Sequence, residues 1–286
     1  TLRVHADRAG CTTIGWHPRC HLDLWEEQAA THLHGLVPRR LGSVDAVLTR
    51  ADLDDVTDPL GAILWELPQR ELGGVLPEWD DLVAQVDWAR DRGIATHLDG
   101  ARLWMVPPHY DRDLAAVAGL FDTVYVSMYK DLGGLPGCVL AGPDDLLARV
   151  RTWRHRHGGR LHAMWPQAAS GLAGLRRHLP RMADYAAHAR ALAGAVSDVD
   201  GVHVVPDPPQ TSMFHLWLDV DPTVLERRLV AWSRQSELAT WIGPDPAPLS
   251  GWSVLEVSVG DATMDVDPTE FRDLVDFMST GQDRSD

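Results

Sequence analysis

The stretch Ile94-Ala95-Thr96-His97-Leu98-Asp99, followed at once by Gly100-Ala101, reads as a strand that runs out on a carboxylate. Upstream, Gly61-Ala62-Ile63-Leu64-Trp65-Glu66 is a compact apolar run bounded by prolines, a buried strand ending near Glu66. Between the two, Pro77 opens a helix. Trp79, Leu82, Val83, Val86 and Ala89 recur in it at helical spacing, and Gly93 supplies the stop. Downstream, residues 114–120 read as a short helix, Thr123–Ser127 as a third strand and Cys138–Ala141 as a fourth. Strand, helix, strand at these intervals implies crossover connections, so the chain is expected to be α/β, with a mostly parallel sheet and helices on both faces. In such sheets ligands gather at the carboxyl ends of the strands. Glu66, Asp99 and Lys130 all fall at or just past such ends.

The flanks are less regular. Residues 2–36 read as helix-like in places, with one helix starting just after His21 and running through Ala30. Residues 48–56 suggest a short helix with Thr49 as its cap. After the helix Asp144–Arg156 comes a long helical segment over 168–196, broken at Pro180. The pattern then changes: strands at Val202–Val205, 212–218, 239–242 and 254–259 lie among helices at 223–233 and 268–278. This predicts a large domain over 1–165 and a smaller α+β domain over 166–286, with a frayed tail from Gly281.

Lys130 is the only lysine; every other one of the 26 basic residues is arginine. What arginine cannot do is covalent, because a primary amine condenses with an aldehyde or ketone and a guanidinium does not. Lys130 is therefore a Schiff-base candidate, and equally a leftover in an arginine-biased chain. The net charge of -15 argues against nucleic acid and anionic membranes as partners. No apolar run approaches the ~20 residues of a membrane helix. Cys11, Cys20 and Cys138 form no paired framework, which suggests a reducing, cytoplasmic setting. The chain opens on Thr1 inside structured sequence, so residues upstream are expected. Large aromatic burial is the one account available for 12 tryptophans against 4 phenylalanines and 4 tyrosines.

His97-Leu98-Asp99-Gly100-Ala101-Arg102-Leu103, followed by Lys130 and the glycine-rich turn Gly133-Gly134, resembles the pyridoxal-phosphate enzymes of the aspartate-aminotransferase fold type. Within them it is most similar to the threonine aldolase and β-eliminating lyase family. The resemblance implies pyridoxal 5'-phosphate as cofactor and Lys130 as its Schiff-base partner. It implies Asp99 against the ring nitrogen, and Arg102 on the phenolic oxygen or the substrate carboxylate. It implies Ser127 on the phosphate, and His21 stacked on the ring and serving as a base. The residue types also have plainer readings. An Asp before Gly caps turns, Arg102 suits a surface ion pair, Ser127 a strand end, and His21 a solvent-facing site. His17, Cys20 and His21 raise a metal site, but no second ligand pair stands at a matching interval, and none is expected.

Three positions depart from the family pattern. Gln69 stands where the family has a histidine that handles the substrate hydroxyl. His162 and Glu256 stand where it has arginines, so the substrate site is expected to involve Arg102, Gln69, Glu256 and His162. A glutamate cannot clamp a carboxylate as arginine does, which points away from threonine itself. The family's phosphate-binding turn would precede Leu2. The implied function is a lyase cleaving a Cα–Cβ or Cβ–X bond of an amino-acid-like amine, in a homodimer or homotetramer. The alternatives are a transaminase or racemase on the same cofactor, or a family member that has lost catalysis and serves as a binding protein.

Overall fold

A computed structural model of the chain describes residues 1–236 and 243–281. The chain divides into two compact units, one of residues 1–71 and 75–180, the other of residues 72–74 and 181–286.

The first unit is built on a six-stranded sheet of β1 (Thr13–Trp16), β2 (Val37–Arg40), β3 (Ala62–Glu66), β4 (Ala95–Gly100), β5 (Thr123–Ser127) and β6 (Cys138–Ala141), in the order β2-β1-β3-β4-β5-β6. β1 to β5 pair in parallel. Its centre is apolar because helices cover both faces. In β3, Ile63 and Trp65 enter one cluster with Leu82, Val86 and Trp88, while Ala62 and Leu64 enter another with Leu2, Ile14 and Trp16. Gln85 is the polar exception in the first cluster. It accepts from Trp65 Nε1 at 2.7 Å and donates to Leu48 O at 2.7 Å, so both ends of its own amide are paired. The helix Trp79–Asp91 carries Asp80 and Asp81 in its first turn and ends before Gly93, which takes the left-handed φ of 65°.

The first forty residues depart from the sequence reading. Two parallel strands, β1 and β2, escaped it. β1 is a four-residue apolar run interrupted by Gly15, and β2 is a charged edge strand, so neither carries a strand's usual alternation. The helix expected through Ala30 breaks into His21–Leu24 and Ala29–His34, because Glu27 and Gln28 take positive φ values of 47° and 56°. The helix expected over 48–56 contracts to a 3-10 turn at Ala51–Leu53, with Thr49 N and Oγ1 both donating to Asp52 Oδ2. β6 runs antiparallel to β5, since the turn between them is too short for a crossover.

The second unit holds the antiparallel sheet β7 (Val202–Val205), β8 (Met213–Leu218), β9 (Asp245–Pro246) and β10 (Ser253–Ser258), in the order β7-β8-β10-β9. Helices Met182–Val196, Pro222–Ser236 and Pro268–Thr280 accompany it. The strand expected at 239–242 lies outside the described residues. No helix among the described residues is long and apolar enough to cross a membrane.

Candidate active site

Parallel pairing sets Glu66 opposite Asp99, and Asp99 opposite Tyr125. Paired residues of neighbouring strands project to the same face, so two carboxylates leave the carboxyl edge of the sheet side by side. Lys130 follows β5 in the next turn. His21, Glu66, Arg70, Asp99, Arg102 and Lys130 line one hollow there, with Leu67, Pro68 and Ala101 as its apolar part.

The turn that delivers Lys130 is held by its own backbone. Gly133 N–H donates to Lys130 O at 3.0 Å, Gly134 N–H to Met128 O at 2.9 Å, and Met128 N–H to Gly137 O at 3.0 Å. Gly133 takes φ 59°, and a Cβ on Gly134 would stand 2.4 Å from Met128 O. These glycines therefore serve the turn's own closure. The helix Trp165–Arg177 lies against the same turn through Gly174, where a Cβ would meet Leu132 O at 2.2 Å.

Electrostatics follow burial. Burial pushes the Asp99 carboxyl up from its ordinary value, against the pull of the Ala101 N–H and the Lys130 amine. Burial, then the Asp99 charge, pushes Glu66 up to about 7. Burial and then the Arg102 guanidinium bring the Lys130 amine down, which enlarges its neutral, nucleophilic fraction. A half-buried acid beside an amine of weakened basicity, a guanidinium and an imidazole is a set that suits the ring and aldehyde of a pyridine aldehyde.

Asp99 also caps the turn that follows it, since its Oδ1 accepts from Ala101 N at 3.0 Å. His21 opens the helix His21–Leu24, with its Nε2 3.0 Å from Glu26 Oε1. The other sequence candidates stand apart from the hollow's lining. Ser127 is fully buried and donates its hydroxyl to Ala101 O at 2.6 Å. Gln69 is buried, donating Nε2 to Arg19 O at 3.0 Å, and its backbone bridges to Val75. His162 is exposed ahead of the helix Trp165–Arg177. Glu256 belongs to the second unit, on β10 opposite His215. Nor do His17, Cys20 and His21 form a ligand set. His17 Nδ1 accepts from Arg19 N, its Nε2 meets Ala46 O, and Cys20 is buried. The residue that sequence reasoning missed outright is Arg70, for which the strand-end position just before it was the available signal.

Residues 1–219 match the β-eliminating lyase family. A Listeria monocytogenes structure described as an L-allo-threonine aldolase superimposes with a TM-score of 0.90 at 31% identity, over 97% of this chain and 78% of that one. An Exiguobacterium structure described as an aromatic amino acid β-eliminating lyase/threonine aldolase gives 0.89 at 34%, over 96% and 78%. The low-specificity L-threonine aldolase 1 of Arabidopsis thaliana is 23% identical over 76% of this chain, which spans 63% of that protein's length. With a matched stretch that takes in the whole sheet and its site-bearing edge, and solved relatives that superimpose over nearly all of it, the chain belongs to the threonine aldolase and β-eliminating lyase family.

Proposed function

We propose that the protein is a pyridoxal-phosphate-dependent lyase that cleaves the Cα–Cβ bond of a β-hydroxy amino acid other than threonine, or a Cβ–X bond in a related amine. The observation that carries the reading is the gathering of the lone lysine with Asp99, Arg102 and His21 in one hollow at the sheet's carboxyl edge. Pyridoxal phosphate, when bound, supplies an aldehyde for an amine to condense with and a pyridinium ring that accepts electrons. The chain's own residues account for the rest. Lys130 presents an amine whose proton is weakened by burial and by Arg102. Asp99, as a carboxylate in the hollow, supplies the negative charge that keeps a ring nitrogen protonated, and the nearby Lys130 and Arg102 favour that charged form against its burial. Arg102 offers a guanidinium for a carboxylate or phenolate. His21, its ring oriented by Glu26, would take the β-hydroxyl proton as the Cα–Cβ bond breaks, and the ammonium form of Lys130 would deliver a proton to Cα in place of the lost Cβ. Gln69 leaves the hydroxyl to His21, because its amide is bound to Arg19 O.

Purified full-length protein is expected to absorb in the visible when pyridoxal phosphate is added. Borohydride should bleach the band and fix the label on Lys130, and Lys130→Ala should show neither effect. A turnover product of glycine plus an aldehyde identifies aldol cleavage. A protein that stays colourless with added cofactor overturns the proposal.

A further inference from the structure

Glu66 has no part in the chemistry above, yet it stands within the hollow beside Asp99. Its Oε2 accepts the backbone N–H of His21 at 3.2 Å, and its Oε1 accepts that of Arg70 at 3.3 Å. These residues belong to different segments. His21 opens the helix after β1, and Arg70 opens the 3-10 turn Arg70–Leu72 after β3. One carboxylate at a strand end thus ties two separate rims of the hollow to the edge that carries Asp99. We propose that Glu66 is a positioning residue, holding the His21 and Arg70 rims in place beside Asp99 and Lys130, and that it does so only as the carboxylate.

The chemical basis is its acceptor inventory. An ionised carboxylate accepts at both oxygens, whereas a protonated one turns an oxygen into a donor that an incoming N–H opposes. The charged and titratable groups around it come from every neighbouring segment. Asp99 faces it from β4, Cys20 and His21 from the segment after β1, Arg70 and Glu71 from the 3-10 turn, and Lys130 and Arg102 across the hollow. Burial and Asp99 hold its proton until about pH 7, against the two N–H groups that favour the anion. The clamp therefore closes above neutrality and opens below it. Its effect on turnover rests on the lyase reading, whereas the clamp itself is a property of the chain without cofactor.

Two measurements separate these. The first is amide hydrogen exchange at His21 and Arg70, in full-length protein without cofactor and corrected for intrinsic rates. In the wild type, the amide whose acceptor oxygen takes the proton should lose protection about tenfold as pH drops through about 7. Glu66→Gln, which keeps the shape but has one acceptor oxygen, should show the low protection at every pH. The second is the pH profile of kcat with pyridoxal phosphate bound. The wild type should lose activity on the acid side of neutrality, and Glu66→Gln should give the lower rate throughout without that limb. A wild-type exchange profile that is flat across neutrality overturns the proposal without recourse to any variant, as does a step that survives Glu66→Gln. An exchange step in a protein that never takes up the cofactor would leave the clamp standing and sink the lyase reading instead.

Discussion

At the scale of single residues, the site is a set of perturbed charges whose causes are local burial and near neighbours. Asp99 is both a turn cap and the acid facing Lys130, and one side chain fills both roles because the turn after β4 brings Ala101 N–H back to it. Replacing Asp99 with asparagine keeps the cap oxygen and removes the charge. The expected result is a fold close to the wild type by circular dichroism and turnover lower on the order of a hundredfold, the scale of a lost electrostatic stabiliser. Activity within twofold of the wild type would show that Asp99 only caps the turn. Gln69 illustrates the reverse case. It aligned with a functional histidine by its distance from Glu66 along the chain, but its side chain turns to Arg19 O instead of the hollow, and Arg70 lines the hollow in its stead.

At the scale of elements, what places Lys130 is a turn pressed against a helix. The turn hydrogen-bonds itself closed from Met128 to Gly137, and the helix Trp165–Arg177 rests on it only because Gly174 has no side chain to strike Leu132 O. Gly174→Ala should push helix and turn apart, destabilising the protein by roughly 1–3 kcal/mol and weakening reductive labelling of Lys130. Thermal unfolding and the extent of borohydride labelling measure the two effects. An unchanged melting temperature with full labelling would show that helix and turn yield at no cost. The glycines after Lys130 were legible in sequence as a turn. Their reason was not, since it lies in carbonyls that only the folded backbone brings near.

At the scale of the whole molecule, stability should depend on pH through buried histidines that do not line the hollow as well as through Glu66, which does. His5 Nε2 and His97 Nδ1 both meet Thr123 Oγ1, at 2.9 and 2.8 Å, tying the helix Leu2–Ala9 and β4 to β5. Burial above all pushes His97 down to about 3 and His5 to about 4, from an ordinary 6.5. Below 6.5 the unfolded chain takes up protons that the folded chain refuses, so stability is full above that pH and falls as pH drops toward the folded values. Glu66 acts in the opposite sense. Raised from 4.5 to about 7, it favours the folded state at low pH and withdraws that support as pH rises through 7. Urea unfolding at neutral and mildly acid pH should show His97→Asn losing part of the wild type's acid sensitivity, and identical slopes would refute the assignment. The sequence by itself determined the alternation of strand and helix, the carboxylates at the strand ends and the lone amine past β5. Apolar runs and their Gly and Pro punctuation are local signals, and a single lysine needs no neighbours to be noticed. Tertiary structure alone decided the two early strands, the reversed edge strand, the burial of Ser127 and Gln69, and the double hold of Glu66 on His21 and Arg70. The early strands, the burial of Ser127 and Gln69 and the hold on His21 rest on partners that chain order does not bring near, as Glu66 and His21 show at a separation of 45 residues.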